Sequence, residues 1–197
     1  MNDWELSLFQ GIGISRISKI VPNIPDVTPS PVKGAILSII LPSFHYIAIV
    51  STLDEALMEY IEVHDIPWPN RTKRDLFNRI NVVSGVVPNI NVPKLQEIRN
   101  RRNSIAHKPS LIFSNPITWD ELDDVIQNVC IAMKEMGLIE DIPQVTAFFE
   151  RTPELFHEEL GPNGERLRQK YIVGAKVNDE IIMEIEKEIS YFPPGNP

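Results

Sequence analysis

Pro93-Lys94-Leu95-Gln96-Glu97-Ile98-Arg99-Asn100-Arg101-Arg102-Asn103-Ser104-Ile105-Ala106-His107-Lys108 reads as a helix bounded by its own chemistry. Pro93 suits a first helical position, where a missing N–H costs nothing. Pro109 ends the helix by restricting the residue before it. At about 100° per residue, Leu95, Ile98, Ile105 and Ala106 gather on one face that is predicted to be buried. Arg102 falls in the middle of that face. Arg99, Asn103 and His107 run along its edge, and Glu97, Arg101, Ser104 and Lys108 lie opposite, toward solvent. An arginine within an apolar stripe must be paired or must line a polar crevice, because an unpaired buried charge is costly. Asp54 and Glu55 of an earlier helix are the candidate partners. His107 supplies an imidazole, the side chain whose ordinary titration range allows proton exchange near neutrality. Spacing alone leaves two readings open: a structural arginine beside a helix-end histidine, or a polar pair that acts on a substrate.

Outward from this segment the chain continues to read as helices. Ser43 after Pro42 is placed to cap a helix over 44–63, with Leu53, Leu57, Tyr60 and Ile61 on one face. Asn70 is the expected cap of a helix over 71–84 that ends at Gly85 and is made locally basic by Arg71, Lys73, Arg74 and Arg79. Thr118-Trp119-Asp120-Glu121 is a capping box. Behind it Leu122, Val125, Ile126, Val129, Ala132, Met133 and Met136 recur at helical spacing, and Gly137 supplies the stop. Val86–Val92 is short and bracketed by prolines, so it adds at most an extended connection.

Before this core, residues 1–31 read as an N-terminal arm. It holds an interrupted amphipathic helix carrying Leu6, Phe9, Ile12, Ile17 and Ile20, then a run broken by Pro22, Pro25, Pro29 and Pro31. Gly11-Ile12-Gly13 lacks the third glycine and the preceding strand of a phosphate loop. After the core, residues 141–197 read as a helical extension. Short helices are expected over 143–151 and 153–160, a turn at Gly161-Pro162-Asn163-Gly164, a last amphipathic helix over 179–191, and a frayed tail from Pro193. The expected architecture is therefore all-α with little or no sheet: arm 1–31, helical bundle 32–140, helical extension 141–197.

Composition narrows the function classes. With 197 residues, 43% of them hydrophobic, the chain buries a core without covalent staples. Cys130 is the only cysteine, so no intramolecular disulfide or cysteine-rich zinc site is available, and a reducing cytoplasmic compartment is expected. The net charge of −8 gives no global attraction for nucleic acid, so RNA contact requires a local basic patch. The run 34–50 carries no Asp, Glu, Lys or Arg, but Pro42-Ser43 interrupts it and it sits at the short end of the roughly 17–25 residues a membrane span needs. It is read as buried helix, without membrane association. His45 reads as a core histidine and His64 as a local partner of Asp65, while His157-Glu158-Glu159-Leu160 lacks the second histidine of a zinc-protease helix. No metal and no cofactor are assigned.

Arg102-Asn103-Ser104-Ile105-Ala106-His107 resembles the R-x4–6-H signature of HEPN domains, in the form with Asn after the Arg. Ser51-Thr52-Leu53-Asp54-Glu55-Ala56-Leu57 is similar to the S-x-L-E-x-x-L-like pattern that an earlier helix of such domains carries, and a long amphipathic helix follows at 118–136. The resemblance covers roughly residues 40–137. It implies a helical bundle that pairs with a second copy so that both motifs face one cleft. It also implies metal-independent RNA cleavage of the kind found in toxin, defence and RNA-processing systems. His107 would transfer protons, Arg102 would stabilise the charge on phosphorus, and Asn103 would orient the histidine or bond the phosphate. Arg99, Arg101 and Lys108 would attract the RNA backbone, and Asp54 and Glu55 would support. A regulatory protein is a further partner class that the resemblance implies. HEPN toxins paired with a nucleotidyltransferase carry Tyr two residues after the His, where this chain has Pro109. Since some HEPN domains are non-catalytic, a dimerisation or RNA- or protein-binding module is the alternative reading.

Overall fold

The computed structural model describes residues 3–20, 36–151, 156–159, 165–177 and 179–191. Along these the chain forms α1 (Asp3–Ile20), a π-helical turn (Ile36–Ile40), α2 (Leu41–Val63), α3 (Leu76–Ser84), α4 (Val92–His107), α5 (Leu111–Ser114) and α6 (Trp119–Glu135). Four strands follow: β1 (Val145–Arg151), β2 (Phe156–Glu159), β3 (Glu165–Val177) and β4 (Glu180–Tyr191). The fold is thus mostly helical with an added antiparallel sheet.

α2 is the axis of the bundle, in contact with α1, α3, α4 and α6. Tyr46, Ile49, Val50, Leu53, Ala56, Leu57 and Ile61 recur at spacings of three and four and are all buried, which is the apolar stripe a core-facing helix requires. Facing it, α3 contributes Leu76, Ile80 and Val83, and α4 contributes Leu95, Ile98 and Ile105. The expected stripe of α6 is buried throughout, with Met136 beyond its end. Gly137 takes φ +71°, the left-handed conformation that helix stops favour.

Several helix starts differ from expectation. Ser43 lies inside α2, buried, with its hydroxyl donating to the Ile39 carbonyl at 3.3 Å, so it caps nothing. α3 begins at Leu76 rather than 71, because Asp75 and not Asn70 is the cap: its carboxylate accepts from the Asn78 backbone N–H at 3.1 Å. Arg71, Lys73 and Arg74 consequently sit in the loop before the helix. Thr118 accepts from the Glu121 N–H at 3.1 Å, as a capping box predicts, but the Glu121 carboxylate is engaged by Arg101 instead of turning back. No helix among the described residues is long and apolar enough to cross a membrane, the charge-free run within α2 included.

The arm and the extension both depart from the sequence reading. α1 is one uninterrupted helix whose Trp4, Leu8, Ile12 and Ile17 join the main hydrophobic core, while Leu6 is exposed. A Cβ on Gly11 would meet Ile49 at 3.0 Å, and one on Gly13 would meet Ala175, Ile182 and Met183 at 3.1 Å each. The two glycines are notches that bring α1 close to α2 on one side and to the sheet on the other. Arg16 (2.8 Å) and Lys19 of α1 also engage Asp123 of α6. The segments Pro22–Pro31, 161–164 and the tail from Pro193 lie outside the described residues.

Where the described residues cover the helices expected over 143–151, 153–160 and 179–191, they form the strands Val145–Arg151, Phe156–Glu159 and Glu180–Tyr191 instead. β3 is the central strand: β4 pairs antiparallel with it over Leu167–Val177, while β1 pairs with Tyr171–Val177 and β2 with Glu165–Arg168. Since β4 occupies one edge, β1 and β2 share the other and the sheet is three strands wide. In β4 the isoleucines at 181, 185 and 189 fit a helix by their i, i+4 spacing, yet they also share one parity with Met183 and Tyr191, against Glu184, Glu186 and Glu188. β-branched side chains of this kind favour a pleated surface. In β3, Tyr171, Ala175 and Val177 are buried, with Val145 of β1 joining the same core. Opposite Phe148, Gly174 leaves room for the ring, which a Cβ would strike.

Candidate functional site

α4 starts where Asn91 accepts a hydrogen bond from the Lys94 N–H (3.2 Å) and ends at His107. Leu95, Ile98 and Ile105 anchor it, and the buried Tyr46 hydroxyl donates to the Ile98 carbonyl at 3.2 Å. Burial and the nearby Glu121 raise the Tyr46 phenol far above its ordinary range, with Arg101 opposing. The hydroxyl therefore stays a neutral donor. With the helix fixed on this side, Arg99, Arg102 and Asn103 face a polar cleft of about 230 Å³ between α2, α3 and α4. Arg99, Arg102 and Asn103 line one side, Val50 and Asp54 another, and Asp75, Leu76 and Phe77 the third.

The two arginines are held but not satisfied. Arg102 donates to the Asn103 side-chain oxygen at 3.1 Å. Arg99 bonds Asn100 and lies with its guanidinium carbon 4.8 Å from the centre of the Phe77 ring. The Nε of each is buried with no hydrogen-bond partner. A buried donor left unmade costs roughly 1–3 kcal/mol; what the cleft itself offers an anion is the positive charge of the two guanidinium groups that line it. The carboxylates of the cleft are already engaged. Asp54 bonds Arg79 at 2.6 Å, and Asp75 caps α3. Arg79 offsets Asp54, so Arg99 and Arg102 exceed the remaining Asp75 by one positive charge.

Several sequence expectations need correction. Asp54 reaches the cleft, but its ion-pair partner is Arg79 rather than Arg102; Glu55 is exposed and is not part of the lining. Arg102 is half-buried and lines a polar crevice, one of its two expected environments, whereas Ala106, expected on the buried face, is exposed. Arg101 faces neither solvent nor the cleft: it bonds Glu121 at 2.9 Å and the Asn115 carbonyl at 3.0 Å, joining α4 to the start of α6. His64 donates to the Tyr60 carbonyl at 3.0 Å and stacks on its ring instead of pairing with Asp65.

His107 and Lys108 are exposed. His107 continues the Arg99–Asn103 stripe about 6 Å further along the helix axis and is not among the residues lining the cleft. Arg99, Arg102 and Asn103 thus come together, with His107 one turn outside. Sequence reasoning missed Phe77 and Asp75 as cleft residues; the aromatic beside a basic stretch was the available signal. His45 is half-buried near Trp119 with its Nε2 unpartnered, and burial lowers its pKa. Cys130 is enclosed, its thiol pushed up to about 12 by burial, and is inert packing. Among the described residues no group of three or more His, Cys, Asp or Glu side chains is placed to hold a metal ion. No protein-family model, curated protein or solved structure matches the chain.

Proposed function

We propose that this chain is a HEPN-type endoribonuclease that works as a homodimer and cuts RNA by attack of the ribose 2′-OH on the adjacent phosphorus. The observation that carries the reading is the polar cleft lined together by Arg99, Arg102 and Asn103, with the exposed His107 one turn further along the Arg99–Asn103 stripe. The Arg102 guanidinium stabilises negative charge as the phosphorane-like transition state forms. Asn103 orients Arg102 through their shared bond. His107 transfers the proton, a role worth about 10²–10⁴-fold in rate. In a dimer with α4 near the two-fold axis, RNA lies across both motifs, which would bring the exposed His107 of each copy over the substrate. Phe113, 69% exposed just beyond α4, is apolar surface suited to that contact. A role in a toxin or defence system, and control by a regulatory protein, follow from the same reading.

The second reading is a non-catalytic module that binds RNA or a protein partner. The position of His107 one turn outside the cleft favours it. Cleavage separates the two. The enzyme yields products with a 2′,3′-cyclic phosphate and a 5′-OH, works in EDTA, and leaves DNA intact because the attacking hydroxyl is missing. His107→Ala removes most of the rate without unfolding the protein, since the side chain is exposed. If His107→Ala cuts as fast as wild type, the histidine is not the proton-transfer group and this mechanism is wrong.

A further inference from the structure

A second hollow of about 390 Å³ opens at the far end of α2. Its apolar wall is Met58, Ile61 and Ile66, and the indole of Trp68 supplies a flat aromatic surface. The loop that builds it is tied down: the Ile66 N–H bonds the Ile61 carbonyl at 3.0 Å and the Trp68 indole N–H bonds the Thr72 carbonyl at 2.9 Å. Glu62 and Asp65 stand at the rim as hydrogen-bond acceptors. Arg74, exposed, lies with its guanidinium carbon 5.8 Å from the centre of the indole ring. Arg79 completes the lining, and its partner Asp54 lines the Arg99–Arg102 cleft. The Arg79–Asp54 ion pair is therefore the wall the two hollows share.

We infer that this hollow is a nucleobase subsite, taking an unpaired base of the RNA whose phosphate lies in the neighbouring arginine cleft. The inference rests on the reading of that cleft as an RNA phosphate site. A flat indole and aliphatic side chains form a slot for a heterocycle, since every base has a face that stacks on an aromatic ring. The rim carboxylates select among bases: they accept a hydrogen bond from an exocyclic amino group such as cytosine N4, and they oppose the carbonyl oxygen that uracil presents at the same place. Arg74 moves aside from the indole to meet the phosphate flanking the bound base. A base held in a double helix cannot enter, so the subsite takes single-stranded RNA.

The test is equilibrium binding of 2′-O-methyl hexanucleotides to the full chain, because a methylated 2′-oxygen cannot attack and binding is read independently of cleavage. Hexacytidylate is expected to bind about fivefold more tightly than hexauridylate, the discrimination one such hydrogen-bonded pair supplies. Trp68→Leu weakens both by about tenfold, the loss expected for one stacked base. The double variant Glu62→Gln/Asp65→Asn, confined to exposed side chains, brings the two affinities together without threatening the fold. Arg102→Ala weakens both oligonucleotides and keeps their ratio. Equal binding of the two hexamers by wild type, or wild-type behaviour of both the Trp68 and the Glu62/Asp65 variants, overturns the subsite. Cytidine monophosphate binding as tightly as hexacytidylate overturns RNA as its source. A retained Trp68 effect with no Arg102 effect upholds the subsite and overturns the phosphate role of the neighbouring cleft.

Discussion

At the scale of single residues, the helix wheel of α4 placed the side chains around the helix but not their partners. Arg99, Asn103 and His107 do share a stripe, and Arg102 does need a polar environment. Which carboxylate meets which arginine was illegible, because it depends on where α3 begins: Arg79 faces Asp54 only because Asp75 caps the helix at Leu76. Arg101 looked like a solvent-side cation until α6 placed Glu121 beside it. His45 carries a prediction at this scale. Its folded pKa lies below the ordinary imidazole value of about 6.5, because burial penalises the charged ring. Above that value both folded and unfolded states hold a neutral imidazole and the residue adds no pH dependence. As pH falls through it, the unfolded state takes up the proton first, so folding stability is lost on the acid side. Urea midpoints measured at pH 7.5 and 5.5 should fall more for wild type than for His45→Phe; equal falls would show that His45 titrates alike in both states.

At the scale of elements, the helices of the bundle were legible and the strands were not. Stripes such as Leu122 to Met136 fit only a helix. The isoleucines of β4 fit both periods, and the alternation of Glu184, Glu186 and Glu188 that decides for a strand carried no weight in the expected helix over 179–191. α1 was legible as an interrupted amphipathic helix of an arm but not as core, because Gly11 and Gly13 carry no side chain to mark them as contacts. Gly13→Leu should therefore destabilise the protein by about 1–3 kcal/mol, as overpacking does, since three side chains already stand 3.1 Å from the position of a Cβ. A lowered denaturant midpoint with far-ultraviolet circular dichroism unchanged at zero denaturant is the expected result. A raised midpoint would mean that the improved helix propensity outweighs the clash and that the notch is loose.

At the scale of the whole molecule, one hydrophobic core runs from Trp4 through the bundle to Val177. The region proposed as HEPN-like, roughly 40–137, is helical where it has regular structure; the sheet is an addition on the side of α1. Sedimentation should give a dimer at micromolar concentration, with Phe113→Glu shifting it toward monomer because the charge falls on exposed apolar surface at the expected contact. A monomer at high micromolar concentration would count against a cleft shared by two copies.

The glycine-notched α1 also sets an order of events. Its two faces are covered by α2, which follows soon after it in the chain, and by β3 and β4, more than a hundred residues later. On a ribosome the first face can close while the second waits for the hairpin to emerge, and the ring closed by that late contact is long and entropically slow to form. Docking of the sheet onto α1 is thus the natural last step of folding, and until it happens the Gly13 face of α1 stays uncovered.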